Sequence, residues 1–513
     1  MQALIKKNIV FLAALGISFA IIALGVGSPE LLELVSTELH TRIIDNFGWG
    51  YLLGSLLFMI FSIVIAASRF GKLKLGLDHE KPQYSYFGWF SMLFAAGMGI
   101  GLIFWGAAEP LSHYAQPPSH IPAESGDAAS FAMQHSFFHW GLHPWAIYIV
   151  MSLAVAYFSF RRGMPPLISS CFYPLLGERI YGPLGYLIDI LSVLATLFGI
   201  VTSLGLGAMQ ITSGLASISP LPDAFSTILG VIGIVTVLFM ISSMTGLDKG
   251  IQILSKANIL LALLLLAFML VVGPTVYIFN VFTTTIGDYF SSLLDMSLSS
   301  NPFQGYKWTK TWTLFYWAWW ISWAPFVGLF VASISRGRTI REFILGAMLV
   351  PTLLTFLWFS VFGGAGLHLQ IVNEVDIAGK VADNVSVALF QLFSYYPFSS
   401  VLTLIAVMLL MVFFITSADS ATYVLAMMTS DGNLRPSNWK KIIWGITVSA
   451  TACILLFSGG LDALQRMSIT AALPLTIIML LMCYCLWLGM SYEWRQSSAE
   501  AETTEMEVAA EKE

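Results

Sequence analysis

Apolar runs of roughly 20 residues, separated by short polar stretches, recur along the whole chain at 9–27, 49–68, 86–108, 136–160, 182–217, 224–244, 252–280, 311–334, 340–366, 399–428, 438–460 and 466–492. That length lets an α-helix cross a hydrocarbon core of about 30 Å, so the pattern predicts twelve membrane-spanning helices. Two weaker patterns lie between the runs. In 281–310, Ile286, Tyr289, Phe290, Leu293, Leu294 and Leu298 recur at helical spacing, which predicts an amphipathic helix lying at the membrane interface. A second is predicted at 384–393, NVSVALFQLF, after a loop carrying Glu374, Asp376 and Asp383. From Glu493 onward the chain turns polar and acidic, a composition that predicts a disordered or weakly helical tail.

Composition agrees with the pattern. The 513 residues are 57% hydrophobic and 10% charged, with mean hydropathy +0.79, whereas soluble domains carry about a quarter charged residues. The basic residues then orient the chain, because Lys and Arg are retained on the cytoplasmic side during insertion. Reading alternate loops, only Arg42, Lys307, Lys310, Lys380 and Arg466 fall on one side, and the other 19 of 24 basic residues fall on the opposite one. This places both termini in the cytoplasm and requires an even number of spans. No A-x-A-like site ends the first run, so it reads as a retained helix rather than a cleaved signal. The net charge of −5 comes with no basic tract suited to nucleic acid. Cys171, Cys453, Cys483 and Cys485 lie in or beside apolar segments and read as packing residues.

Four segments carry candidate chemistry. The third run contains FAAGMGIG, with Gly97, Gly99 and Gly101 spaced by two. Glycines so placed either allow close helix packing or unwind the helix, freeing carbonyls for a cation and N–H groups for a carboxylate. The fourth, FHWGLHPWAIY, puts Trp140, Trp145 and Tyr148 around Pro144, whose effect on helix phase leaves the mutual facing of the rings open. Its His139 and His143 form an i, i+4 pair, but no third metal ligand is evident nearby, so both read as packing histidines. In the eighth run, Trp312, Tyr316, Trp319, Trp323, Phe326 and Phe330 step by four and three and so fall on one helix face. In the tenth, Thr416, Ser417, Asp419, Ser420 and Thr422 crowd oxygen donors into an apolar span. Hydroxyls there either bond back to the preceding turn or suit a hard cation such as Na⁺, and an intramembrane acid is a functional candidate by default. Asp189, near the start of the fifth run, reads as a capping or pairing group.

Taken together, GMGIG at 97–101, FHWGLHPWAIY at 138–148, FGIVTSLGLGAMQI at 198–211, WTLFYWAWWISWAPFVGLF at 312–330, ISRGRTIREF at 334–343 and TSADSA at 416–421 closely resemble the betaine/carnitine/choline transporter family, across roughly 45–490. The resemblance implies an all-α integral membrane protein of LeuT-like fold, with two inverted five-helix repeats preceded by two extra helices. The expected divisions are 1–85 for the tail and extra helices, 86–280 for the first repeat, 281–310 for the external helix and loop, 311–492 for the second repeat, and 493–513 for the acidic tail. It further implies a homotrimer in the bacterial inner membrane that carries trimethylammonium compounds, with no organic cofactor and no enzymatic activity.

Carried over by residue, the family's aromatic box corresponds to Trp140, Trp145, Tyr148 and Trp320, with Trp319 and Trp323 along the pathway and Phe326 and Phe330 at the gate. Met98, Gly97, Gly99 and Gly101 join the substrate site. One Na⁺ would take carbonyls of Ala95, Met98 and Phe413 with the hydroxyls of Thr416 and Ser417, and a second would lie near Thr196, Tyr148 and Phe326. The expected threonine one turn after Thr196 is Ile200, a departure that weakens the second site. Choline carriers of the family tend to hold an Asp near the end of the glycine motif, where this chain has Gly101, so a zwitterion such as glycine betaine is expected as cargo in Na⁺ symport. The alternatives are a choline or carnitine carrier that is proton-coupled or cation-independent, and, from another class, a channel or membrane enzyme. No filter-like repeat or nucleophile motif supports the last.

Overall fold

The computed structural model describes residues 8–245, 248–302 and 307–510, apart from the side chains of residues 94–96, 98, 245, 248–255 and 497–510. Among these residues the protein is helical, and the only β pairing is an isolated antiparallel bridge between Lys74 and Thr339. The long helices are α1 (Ile9–Gly27), α2 (Pro29–Ala67), α3 (Tyr86–Ala115), α4 (Gly126–Trp140), α5 (Leu142–Ala156), α6 (Pro183–Ile218) and α7 (Phe225–Thr245). They continue with α8 (Asp248–Val272), α9 (Thr275–Ser291), α10 (Thr313–Ile334), α11 (Ile340–Ile371), α12 (Ser399–Met428) and α13 (Asn438–Ala510).

Among the described residues nine helices are long and apolar enough to cross a membrane, or ten if the bent pair formed by α8 and α9 is one span. The expected twelve are therefore not reached by this count. Part of the difference lies in α13, where the runs 438–460 and 466–492 join into one helix interrupted only at Gly459 and Gly460, the latter with φ +60°. A left-handed φ is open to glycine without a Cβ clash, so the chain turns there without a loop. The helix also continues past Glu493 to Ala510, so of the two readings of the acidic tail, disordered or weakly helical, the helical one describes that stretch. The interfacial segment starts earlier than expected: the chain bends by 109° between α8 and α9, with Pro274 at the α9 N-cap. It then ends in a short helix, Leu293–Leu298, and the 384–393 segment forms a 3₁₀ turn followed by the helix Ala388–Phe393.

Burial follows hydropathy pattern. The helices that are apolar on every side, α5 and α10, sit in the centre; all of α5 and nearly all of α10 are buried. α10 packs on α5, α6 and α13, and α3 packs on α11. Connecting ion pairs respect the sides read from the basic residues. On the sparsely basic side Lys310 meets Asp45 and Arg466 meets Glu33. On the other, Arg161 meets Asp78 and Glu493, and Arg336 meets Glu80. Here the 73–84 loop pairs with the α10–α11 connection: Leu75 N–H donates to Arg338 O at 2.8 Å and Gly337 N–H to Leu75 O at 2.7 Å. Thr339 caps α11 by accepting from Glu342 N–H, the T-x-x-E arrangement of a capping box.

Candidate functional site

The aromatic face of α10 is continuous. Ring centroids run Trp312 to Tyr316 at 6.4 Å, Tyr316 to Trp319 at 6.3 Å, Trp319 to Trp323 at 6.4 Å and Trp323 to Phe326 at 5.6 Å. Trp320 lies beside this ladder, stacked on Trp319 at 4.8 Å with only 16° between planes.

The fourth segment is broken where the backbone leaves helical geometry, at Gly141 (φ −92°, ψ −129°), and not at Pro144. Pro144 instead occupies the first turn of α5, where its missing N–H leaves no hydrogen bond unmade. Trp140 therefore closes α4, while Trp145 and Tyr148 belong to α5. Trp320 joins the two groups, with centroids 4.8 Å from Trp140 and 6.2 Å from Tyr148, both nearly perpendicular. Trp145 stands 5.8 Å from Tyr148, again edge to face. The four rings of the expected box thus form one chain of contacts, each fully or almost fully buried. Trp145 Nε1 and Tyr148 OH are buried without a hydrogen-bond partner. Such donors usually find one, so their isolation at a shared location suits a ligand acceptor.

The glycine motif faces these rings. A Cβ at position 97 would lie 2.4 Å from Trp145 Cη2, and one at 101 would lie 2.8 Å from Trp319 Cη2 and 2.9 Å from Trp140 Cη2. Between them Gly99 departs from helical geometry (φ −11°, ψ −127°), breaking α3. The Gly99 Cβ position is 3.7 Å from Phe413 Cδ1 and 3.9 Å from Ser417 Oγ, so the break meets the polar stretch of α12. Both readings of the motif hold at once: close approach at Gly97 and Gly101, unwinding at Gly99. The side chains of Ala95 and Met98 lie outside the described residues.

Of the other ion candidates, Thr416 Oγ1 bonds back to Val412 O at 2.9 Å and lies 3.3 Å from Phe413 O, so two expected donors are adjacent. Thr196 also bonds back, to Ser192 O at 2.7 Å, and Ile200 is buried one turn on. Phe326 and Phe330 line a cavity of about 560 Å³ with Asp419, Ser420, Tyr423 and Lys441, on the side where the basic loops lie. Asp189 accepts from Ser169 N–H and Oγ–H at 3.0 and 2.8 Å, a local pairing.

One buried group escaped the sequence reading. Glu109, near the end of α3 opposite the cavity, accepts from Trp140 Nε1 at 2.7 Å and Tyr316 OH at 2.6 Å through Oε2. Its Oε1 lies 2.6 Å from His139 Nδ1 and 3.2 Å from His113 Nε2. The signal was an acid in an apolar context, but the run was bounded at 108, one residue short. His139 accordingly has carboxylate and imidazole neighbours that the i, i+4 argument did not foresee. The two histidines of that pair separate because the helix breaks between them: His143 bonds Ser297 Oγ at 3.0 Å and stacks on Trp317. Glu109, His113 and His139 hold their ligand atoms within 4.8 Å of one another. Yet the 2.6 Å contact is hydrogen-bond length, shorter than two ligands about 2.0–2.1 Å from a tetrahedral zinc can approach. This is a hydrogen-bonded cluster.

Comparison with known proteins agrees with the arrangement. A profile described as BCCT, betaine/carnitine/choline family transporter, matches residues 9–495. The chain is 50% identical over 489 residues to the glycine betaine transporter OpuD of Bacillus subtilis, covering 95% of each. It is 44% identical over 483 residues to a probable glycine betaine transporter of Desulfitobacterium hafniense, covering 93% of this chain and 96% of that one. It is 41% identical over 477 residues to an ectoine/hydroxyectoine transporter of Virgibacillus pantothenticus, covering 93% and 95%. With its helical, multi-pass membrane architecture, the chain belongs to the betaine/carnitine/choline family of transporters.

Proposed function

We propose that this protein imports a trimethylammonium zwitterion, glycine betaine or a close relative, by Na⁺ symport. The observation that carries this reading is the convergence of Trp140, Trp145, Tyr148 and Trp320 across the Gly141 break. A quaternary ammonium has no N–H to donate, so a protein recognises it by shape and by attraction to ring faces. Three or four rings at about 0.5–2 kcal/mol each supply roughly 1.5–8 kcal/mol, and the upper part of that range corresponds to millimolar to micromolar affinity, which allows release on the far side. The glycine betaine carriers among the relatives support the choice of cargo. Its carboxylate would take the backbone N–H groups freed around Gly99 and the unpartnered donors of Trp145 and Tyr148.

Na⁺ would sit where the Gly99 break meets Phe413, Thr416 and Ser417, because freed carbonyls and hydroxyls supply the hard oxygen donors it requires. With Ile200, which offers no oxygen donor, in place of the hydroxyl expected one turn after Thr196, we assign one ion to the cycle and not two. Each Na⁺ entering down about 100 mV contributes about 2.3 kcal/mol, enough to concentrate the cargo. In this conformation the rings of Trp105, His113 and Trp312 close the outer end of the ladder, while Phe326 and Phe330 border the cavity that releases cargo inward. The functional unit is read as a homotrimer. Radiolabelled glycine betaine uptake into proteoliposomes tests the proposal: accumulation should require an inward Na⁺ gradient. Equal uptake after Na⁺ is replaced by K⁺ at the same membrane potential would refute symport.

A further inference from the structure

Glu109 is fully buried, and both its oxygens are occupied by groups that belong to, or position, the aromatic box. An indole N–H can only donate, so Trp140 and the Tyr316 hydroxyl place two donors on Oε2. His139 is assigned the tautomer with the proton on Nδ1. Thr313 Oγ1 lies 2.9 Å from Nε2; with the hydroxyl donating there, Nδ1–H donates to Glu109 Oε1. His113 Nε2 completes the set. Four donors around one carboxyl form the acceptor arrangement of an ionised carboxylate. His139 extends its influence further, because its carbonyl accepts from Trp320 Nε1 at 3.0 Å.

We propose that Glu109 is a specificity-determining residue, whose negative charge, relayed through the Trp140 N–H and the Tyr316 O–H, sets the preference of the box for a cationic head over an uncharged one of the same shape. This role rests on the trimethylammonium reading above. Cation–π attraction is electrostatic and grows with the negative potential of the ring face. A hydrogen bond to an anion polarises its donor, more strongly where the dielectric is low. Trp140 and Tyr316 are both so bonded, and both touch Trp320, at 4.8 and 6.0 Å. Glu109 therefore acts through its partners, with no need to meet the cargo.

The test compares two ligands on the purified full-length protein: glycine betaine, and 3,3-dimethylbutanoate, which replaces the ammonium nitrogen by carbon and keeps the carboxylate and shape. Affinities are read by tryptophan fluorescence and by competition. Glu109→Gln should weaken betaine roughly tenfold and the carbon isostere less than about twofold, collapsing the ratio between them. Glu109→Asp, which keeps the charge, should preserve the ratio even if both affinities fall. Tyr316→Phe removes one relay donor and should lower the ratio by about threefold. A role in holding the scaffold alone would weaken both ligands equally, so an unchanged ratio in Glu109→Gln and Tyr316→Phe overturns the proposal while leaving the trimethylammonium reading intact. Failure of the unmodified protein to bind glycine betaine overturns both.

Discussion

Adding one methyl group at Gly101 probes how closely the glycine motif and the aromatic box are fitted. The Cβ of a Gly101→Ala variant would meet Trp319 Cη2 at 2.8 Å and Trp140 Cη2 at 2.9 Å, both nearer than carbon atoms normally approach. Neither ring can swing aside freely. Trp140 is held by Glu109 at 2.7 Å and Trp319 by Ser203 Oγ at 3.2 Å, so relief requires spreading the rings or tilting α3. Overpacking of this kind costs about 1–3 kcal/mol, and where the rings relieve it by leaving their cargo-binding positions, that cost reappears at 1.4 kcal/mol per tenfold as a loss of glycine betaine affinity of roughly 5-fold up to at most about 140-fold. Gly97→Ala would press on Trp145 at 2.4 Å, a closer overlap against a ring whose N–H has no partner, and should also weaken binding by at least about fivefold. Gly364→Ala is the control, since its nearest neighbour is Val281 at 3.8 Å in ordinary contact. Equilibrium binding by tryptophan fluorescence on detergent-purified protein, with size-exclusion elution to check folding, separates the three. Affinity in Gly101→Ala within twofold of the unmodified protein would show that the rings beside Gly101 do not form the cargo site.

Three other outcomes are expected. Trp320→Leu should abolish saturable uptake while the protein still reaches the membrane; normal affinity in that variant would show that the box is misassigned. Uptake at fixed expression should respond weakly or not at all as external osmolality rises, because the stretch beyond Glu493 is acidic, with Arg495 and Lys512 its basic residues, and so offers no basic arm to engage anionic lipid; a several-fold rise would contradict this. The Arg336 guanidinium beside Glu80 holds that carboxyl below the usual carboxylate range. A carboxylate shifted this way contributes stability above its unfolded value of about 4.3 and loses it as pH falls through the lower folded value. Protection of the Gly337 amide, bonded to Leu75 O, measured relative to its intrinsic exchange rate at each pH, should thus be unaffected by this pair between about pH 8 and 5 and fall only below about pH 4; loss of that protection near pH 6 would refute the assignment.

Periodicity made the membrane helices legible, because a 3.6-residue repeat and a run of apolar residues need no tertiary information. It also ordered the α10 ladder correctly from Trp312 to Phe326. It could not place Trp320, which lies off that stripe and is recruited only because Gly141 turns α4 away from α5. The break itself was misread: proline disrupts a helix interior, but Pro144 stands in a first turn, where it is tolerated. For Glu109 an acid beside an apolar run was a local signal, but its set of partners was not legible. Its four partners come from α3, α4 and α10, separated by up to 207 positions in the chain, and no local pattern encodes such a meeting. Beyond Glu493 composition left a disordered or a weakly helical tail open, because it reports solvation and not continuity with the helix before it.

The position of Gly141 has a mechanical consequence. Trp140 ends one helix and Trp145 stands in the first turn of the next, so the spacing of their rings depends on the angle at the Gly141 joint between them. Cargo that touches both rings bridges the joint like a strut and stiffens it. Conversely, any motion that flexes the joint changes the width of the seat. At the proposed site, occupancy and joint angle would then be linked, so that loading could be registered at the joint without a separate sensor.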